Sequence, residues 1–435
     1  MAYPVTLRSL RHHNYRLWAA ADFVSVTGTW MQVLALNWLI LSVTGSATGM
    51  GLGLVMQTLP TVLLGPWGGV LADRLPTRRV VAAGQAGKAV LAVLLAFVAL
   101  GEPSGAGPLY AISLATGVTT ALTNPALGRF GSEVVGPDDL PNGLALGSVL
   151  SSAARILGMS LAGAAIPLAG VPAVFFADAA SFLAVLVALA LMRPREFHPL
   201  PPSAPGERGI VAGLRYVLRE PRLLIIFGLA FVLGSLGRNY QVTMAAMSDG
   251  PLAAGASGYG VLSVALAAGT VLGGVYAASR PRLPARLLLI AATVCAVLQM
   301  LSGTAPNLAL FAAAILPIGA AAVVLDTTVS TRVQLDSPGH LRGRVISAQG
   351  VVGAASGAFG GPALGALCDT LGPRAALVLA GAACFGAAAA AAFGLARLRG
   401  TRRPGDGAPA PAPAAAPVPV PAAVPVPAAA AAADR

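Results

Sequence analysis

The chain has 435 residues, of which 56% are hydrophobic and only 10% charged, and it carries a net charge of +12 at pH 7. Soluble domains carry about 25% charged residues, so a soluble globular protein of this length is excluded for want of polar surface. The basic residues are spread over many loops, which argues against a nucleic-acid-binding patch. A membrane-spanning helix needs about 20 mostly apolar residues, because the hydrocarbon core is roughly 30 Å thick and a helix rises about 1.5 Å per residue. In chain order, spans are predicted at 17–43, 47–71, 80–100, 108–127, 142–168, 172–192, 222–247, 257–279, 285–303, 307–327, 343–367 and 373–397. The turns at Gly45-Ser46 and Gly170-Val171-Pro172 are very short.

The expected architecture is all-α and integral to the membrane, with twelve transmembrane helices in two six-helix bundles. Residues 1–192 form the first bundle and 222–400 the second. Between them, 193–221 is a cytoplasmic linker, Pro-rich through Pro205, with an interfacial helix-like piece from Ile210 to Leu218. Residues 401–435 are Pro/Ala-rich and read as a disordered cytoplasmic tail. The halves echo each other. Gly68-Gly69-Val70-Leu71-Ala72 ends span two, Gly273-Gly274-Val275-Tyr276-Ala277 ends span eight, and both run into Arg-rich loops. Internal repeats of this kind mark transporters built from related halves.

Charge placement orients these spans. Of the 28 Arg and Lys residues, twenty-four fall on the side of the amino end, only Arg374 in an opposite loop, and Lys88, Arg155 and Arg238 within spans. The positive-inside rule then places both termini in the cytoplasm, in a cell membrane read as a bacterial inner membrane. The apolar stretch after Arg8, Arg11 and Arg16 is too long for a signal-peptide h-region, so a cleaved leader is not expected. His12, His13, His198 and His340 lie in loops and Cys295, Cys368 and Cys384 in spans. No metal, disulfide framework or cofactor is expected from that scatter.

The loop after span two reads Gly69-Val70-Leu71-Ala72-Asp73-Arg74-Leu75-Pro76-Thr77-Arg78-Arg79. An acid followed by three Arg residues is a charge cluster suited to pairing with a neighbouring helix end. The loop resembles the signature Gly-x-x-x-Asp-Arg-x-x-(x)-Arg-Arg of the major facilitator superfamily, with one extra residue. Four further segments, Leu10–Trp18, Gly28–Gln32, Asp139–Gly143 and Leu341–Val345, resemble its enterobactin-exporter and macrolide-efflux-like branch, also called transmembrane secretion effectors. The resemblance covers residues 7–397. It implies an exporter of siderophores, macrolides or other drug-like molecules in exchange for protons, and a monomer is expected. It also implies a conformational latch between bundles at Gly69, Asp73, Arg74, Arg78 and Arg79. Span five departs from the antiporter pattern: Gly158 to Gly163 lacks a Gly-Pro pair, whereas span eleven has Gly361-Pro362. The nearest Arg to span four is Arg129, at its end rather than within it.

Ionisable residues inside a bilayer cost about 2.5–3.5 kcal/mol each at the helix centre and are functional candidates by default. Asp22, Asp178 and Asp326 are the candidate proton carriers. Asp22, Ser25, Thr29 and Gln32 fall within an arc of about 80° at 100° per residue, a polar stripe suited to a water-filled cavity. Arg155, in mid-span, is expected to meet a carboxylate or an anionic substrate. Arg238, Asn37, Gln57 and Asn239 are further candidates for substrate or helix–helix contact, and Lys88 is placed to snorkel. An ATP-driven pump needs Gly-x-x-x-x-Gly-Lys-Ser/Thr, but Lys88 is followed by Ala89, and no metalloprotease or nucleophile-elbow pattern occurs. The reading is therefore a non-enzymatic, proton-driven secondary exporter of a small amphiphilic molecule. A lipid flippase or a non-transporting receptor is the alternative.

Overall fold

A computed structural model describes residues 5–136, 139–198, 210–280, 283–337 and 342–400. The expected tail at 401–435, most of the Pro-rich linker and two residues named above, His340 and Leu341, lie outside the described residues. A 3-10 helix, Val5–Arg11, leads into α1 (His13–Thr44), α2 (Ala47–Arg74), α3 (Thr77–Leu100), α4 (Gly107–Glu133) and α5 (Leu140–Leu191). A short α6 (Ile210–Arg219) precedes α7 (Pro221–Leu236), α8 (Tyr240–Asp249), α9 (Gly255–Ala278) and α10 (Ala285–Ser302). Then come α11 (Leu308–Asp336), α12 (Arg342–Leu371) and α13 (Pro373–Gly400).

Nine apolar helical stretches among the described residues are long enough to cross a membrane, with α7 and α8 counted as one and α5 as one. Counting α5 twice, and adding α4 and the shorter α10, gives the twelve passes read from the sequence. The 52 residues of α5 change direction at Gly170, whose φ of 80° and ψ of 166° are not helical. Only glycine adopts such angles without strain, so the short turn expected there is a single-residue elbow. At the α1–α2 turn, Ser46 Oγ accepts the amide of Gly49 at 3.1 Å and caps α2. Large side chains such as Phe97, Leu168 and Phe393 are exposed, Leu168 by 87%, as a lipid-facing surface requires.

The expected single span 222–247 is broken between α7 and α8 at Gly237-Arg238-Asn239. Gly and Asn are weak helix formers, and the break is covered by side chains. Asn239 Nδ2 donates to Ser235 O at 2.8 Å and Gly234 O at 3.2 Å, and Gln299 Nε2 donates to Leu236 O at 2.8 Å. Irregular backbone at membrane depth needs such replacement partners.

The two halves pack alike. α2 lies on α4 as α9 lies on α11; α1 lies on α5 as α7 lies on α12; α3 lies on α4 and α5 as α10 lies on α11 and α13. The halves meet along α2–α12 and α5–α9, the same relation with the partners exchanged. We call the side holding the 3-10 helix and α6 the terminal face, and the side of the α1–α2 turn the far face.

The cores differ between these faces. Toward the far face one cluster runs through both halves, from Leu34, Ile40 and Phe175 to Met244, Tyr259 and Leu377. Toward the terminal face it separates. One cluster, around Tyr15, Phe130 and Leu189, belongs wholly to the first half, and another, around Leu223, Leu288 and Val333, wholly to the second. The halves are therefore joined by packing at the far face and are distinct bodies at the terminal face.

Candidate functional site

In the first half, Lys88 of α3 lies within electrostatic reach of two carboxylates, Asp22 of α1 and Asp178 of α5. Asp178 is fully buried. Its Oδ1 accepts from Ser181 Oγ at 3.2 Å, while Oδ2 has no hydrogen-bond partner. Asp22 lines a cavity of about 370 Å³ between α1, α4 and α5, with Tyr15, Trp18 and Ser148. Of the expected polar stripe, Asp22 lines this cavity, Ser25 and Gln32 are buried and Thr29 is half-buried.

Across the midline, Arg155 Nη2 of α5 donates to Thr270 Oγ1 of α9 at 2.6 Å, and its guanidinium lies 5.6 Å from the centre of the Trp30 ring. Its Nε is buried without a partner. Beside Arg155, expected to meet a carboxylate or an anionic substrate, stand a hydroxyl and an aromatic face, which take up the charge only in part. Nearer the far face, Asn37 Nδ2 donates to Gln241 Oε1 of α8 at 3.3 Å, and Trp38 stacks on Tyr259 with centroids 6.4 Å apart. Gln57 of α2 is half-buried, and its backbone carbonyl faces Gly117 of α4.

In the second half, Arg238 and Asp326, assigned separate roles from the sequence, form an ion pair at 2.5 Å. It lines a cavity of about 320 Å³ between α7, α11 and α12, with Asn239, Gln349 and Ser356. Arg238 stands in the break between α7 and α8, and Asp326 belongs to α11.

The loop between α2 and α3 is anchored within its own half. Asp73 meets Arg129 Nη1 at 3.0 Å, and Arg129 Nε meets Glu133 at 3.3 Å. Thr77 Oγ1 donates to Glu133 at 3.1 Å, and Arg78 Nη2 donates to Leu189 O at 2.5 Å. Arg74 and Arg79 are exposed, and Gly69 faces open space. The amino-terminal 3-10 helix is pinned by Asp139, whose oxygens lie 2.8 Å from Arg8 Nε, Arg11 Nε and His12 Nε2. The His12 contact, with Arg11 and Arg8 beside it, holds the Asp139 carboxyl below its ordinary value of 3.8. Glu133, Gln241 and Thr270 escaped the sequence reading. Gln241 and Thr270 are isolated polar residues whose partners lie on other helices, whereas Glu133 stands four residues after Arg129, a local spacing that could have marked it, and its second partner, Thr77, is 56 positions away.

A family profile described as transmembrane secretion effector matches residues 5–411. The chain belongs to that family. Secretion effectors are transporters of the major facilitator type, and this one is a multi-pass membrane transporter rather than an enzyme. It is 25% identical over 211 residues to the uncharacterized MFS-type transporter YfiS of Bacillus subtilis (strain 168), an alignment covering 47% of this chain and 49% of that protein. The match thus spans about half the length of that relative.

Solved structures share the secretion effector's fold. The nucleoside transporter NupG matches with a TM-score of 0.71 at 13% identity, covering 88% of this chain and 99% of that one. An inward-facing, unoccupied bacterial homolog of the human lysosomal transporter Spinster matches at 0.66 and 15% identity, covering 93% and 100%. An inward-facing bacterial homologue of the iron transporter ferroportin matches at 0.65 and 16%, covering 86% and 98%. Among the described residues no cluster of His, Cys, Asp or Glu could hold a metal ion.

Proposed function

We propose that this secretion effector is a proton-driven secondary exporter of a small amphiphilic molecule of the drug, macrolide or siderophore class, working by alternating access. The observation that carries the reading is the single core shared by both halves at the far face and the two separate cores at the terminal face. A rocking transporter in one of its end states has this form: sealed on one side, parted on the other. The Arg bias supports a cytoplasmic terminal face and both termini inside, in a bacterial inner membrane. The state described is then the one that loads substrate from the cytoplasm.

Asp22 and Asp178 are the proposed proton carriers, with Lys88 as the cation that either carboxylate can neutralise. Arg155 and the Arg238–Asp326 cavity supply polar contacts for the substrate. Asp73, Arg74, Arg78 and Arg79 form the latch of the terminal face in the opposite state. The proposed division is 1–192 and 222–400 as moving bodies, 193–221 as their linker and 401–435 as a tail without a transport role. A monomer suffices for this cycle.

The test is transport in inside-out vesicles with an imposed pH gradient, against a panel of macrolides, siderophores and cationic drugs. Gradient-dependent accumulation of a panel member is expected. Absence of gradient-dependent movement across the whole panel, with transbilayer movement of a labelled phospholipid instead, would overturn the reading in favour of a flippase.

A further inference from the structure

At the far face, the C-terminal end of α12 reaches across the seam and caps the N-terminus of α2. Asp369 Oδ1 accepts the amide of Ala47 at 2.8 Å, and Oδ2 accepts the amide of Thr48 at 3.0 Å and the hydroxyl of Ser46 at 2.6 Å. The first amides of a helix have no partner within the helix, and a carboxylate is favoured there by both hydrogen bonding and the helix dipole. Ordinarily the cap comes from the same chain segment. Here Ser46 supplies the local cap and a residue more than 320 positions away supplies the rest.

The backbones beneath are close enough to make this possible. A side-chain carbon on Gly365 would stand 2.5 Å from Ala47 O, and one on Gly163 of the second seam would stand 2.7 Å from Gly260 Cα. The two seams are not equivalent. The α5 segment that matches Gly365 to Gly372 runs from Gly163 to Gly170, and it has Pro167 where α12 has Asp369. Only the α2–α12 seam carries a carboxylate at this position.

The sequence around Asp369 repeats a pattern found elsewhere in the chain. Gly365-x-x-x-Asp369-x-Leu371 has the spacing of Gly69-x-x-x-Asp73-x-Leu75, and each is followed closely by Pro and Arg. α2 and α12 are antiparallel neighbours, and each ends in such an Asp, Asp73 at the terminal face and Asp369 at the far face. In the state described, Asp369 holds the start of α2, while Asp73 holds Arg129 of its own half.

We propose that Asp369 is the far-face latch of the transport cycle: its bonds to the start of α2 hold the two halves together, and their release opens the pathway to that face. The proposal rests on the alternating-access reading. It assigns Asp369 a positioning role, without contact to substrate.

The test is a distance measurement between spin labels on Ser104→Cys and Thr304→Cys, exposed positions on far-face loops of the two halves, in the full-length protein in lipid nanodiscs. The three native cysteines are buried. The otherwise wild-type pair is expected to show a short major and a long minor population. Asp369→Asn is expected to raise the long-to-short ratio at least about tenfold, equivalent to about 1.4 kcal/mol, with Asp369→Glu restoring part of the closed population. Should Asp369→Asn fail to insert, Ser46→Ala removes one donor and is expected to shift the ratio in the same direction by a smaller factor. A wild-type pair with two populations that neither variant shifts overturns the latch. A wild-type pair that stays in one population at every pH and with every panel substrate overturns alternating access itself.

Discussion

Arg155 of α5 donates to the hydroxyl of Thr270 on α9 at 2.6 Å, a hydrogen bond that joins the two halves of the transporter below the far-face seam. Its other described neighbour is the face of Trp30, and its Nε is left without a partner. A charge inside a membrane with a spare donor is costly unless a ligand uses it. Arg155→Ala is expected to lower the transport rate at least about tenfold, and Thr270→Val, which removes one neutral acceptor, by about two- to fivefold. Initial rates in vesicles, normalised to inserted protein, decide it. An Arg155→Ala protein that inserts and transports normally would show the charge to be dispensable.

Asp22 borders a cavity and, like buried Asp178, lies within electrostatic reach of Lys88. Asp22→Asn keeps the shape and removes the titration. We expect loss of pH-gradient-driven accumulation together with retained substrate exchange at equal pH, because exchange needs the rocking motion but not the proton. Normal gradient-driven accumulation by the variant rules Asp22 out as a carrier.

Arg238 and Asp326 are both partly exposed to their cavity, so water screens the pair and its net contribution is expected at about 0.5–1 kcal/mol. Each single alanine variant should lower the melting temperature in detergent more than the paired deletion Arg238→Ala/Asp326→Ala does relative to additivity. A double-mutant cycle reads this coupling directly. Strict additivity would mean that the two side chains act independently.

The docking of the amino-terminal 3-10 helix should depend on acid in one direction only. The Asp139 carboxyl titrates below 3.8 when docked, so its contribution is fully present above that value and is lost as pH falls through the lower, docked value. Hydrogen exchange of residues 8–12, corrected for intrinsic rate, is expected to stay slow from neutral pH down to about pH 4 and to quicken below it. Asp139→Asn should quicken it at neutral pH. Equal protection in wild type and variant at pH 7 would show that the carboxylate does not hold the segment.

The membrane passes were legible because their signal is one-dimensional: length, apolarity, and Gly or Pro at the turns. Gly170 and Ser46 could be read this way because a helix reversal makes local demands on the backbone. The break at Gly237–Asn239 was hidden inside an apolar stretch, and what sustains it comes partly from Gln299 on α10. The pairing of Arg238 with Asp326 and the bonds of Asp369 to the start of α2 join residues 88 and more than 320 positions apart. Each acid was visible as a letter, but its partner was set by how helices assemble. Arg155 shows the same limit: its place within a span followed from hydropathy, whereas its hydrogen bond to Thr270 of the other half did not.

Lys88 is the sole lysine among 28 basic residues, and it feels the charge of two carboxylates, Asp22 and Asp178. The side-chain chemistry of primary amines is thereby concentrated at one point inside the molecule. A single isotope-labelled methyl pair placed on that nitrogen by reductive methylation would give one side-chain resonance from the whole transporter. That resonance would report, without crowding from surface lysines, each time the surrounding acids change their proton or the halves change their tilt.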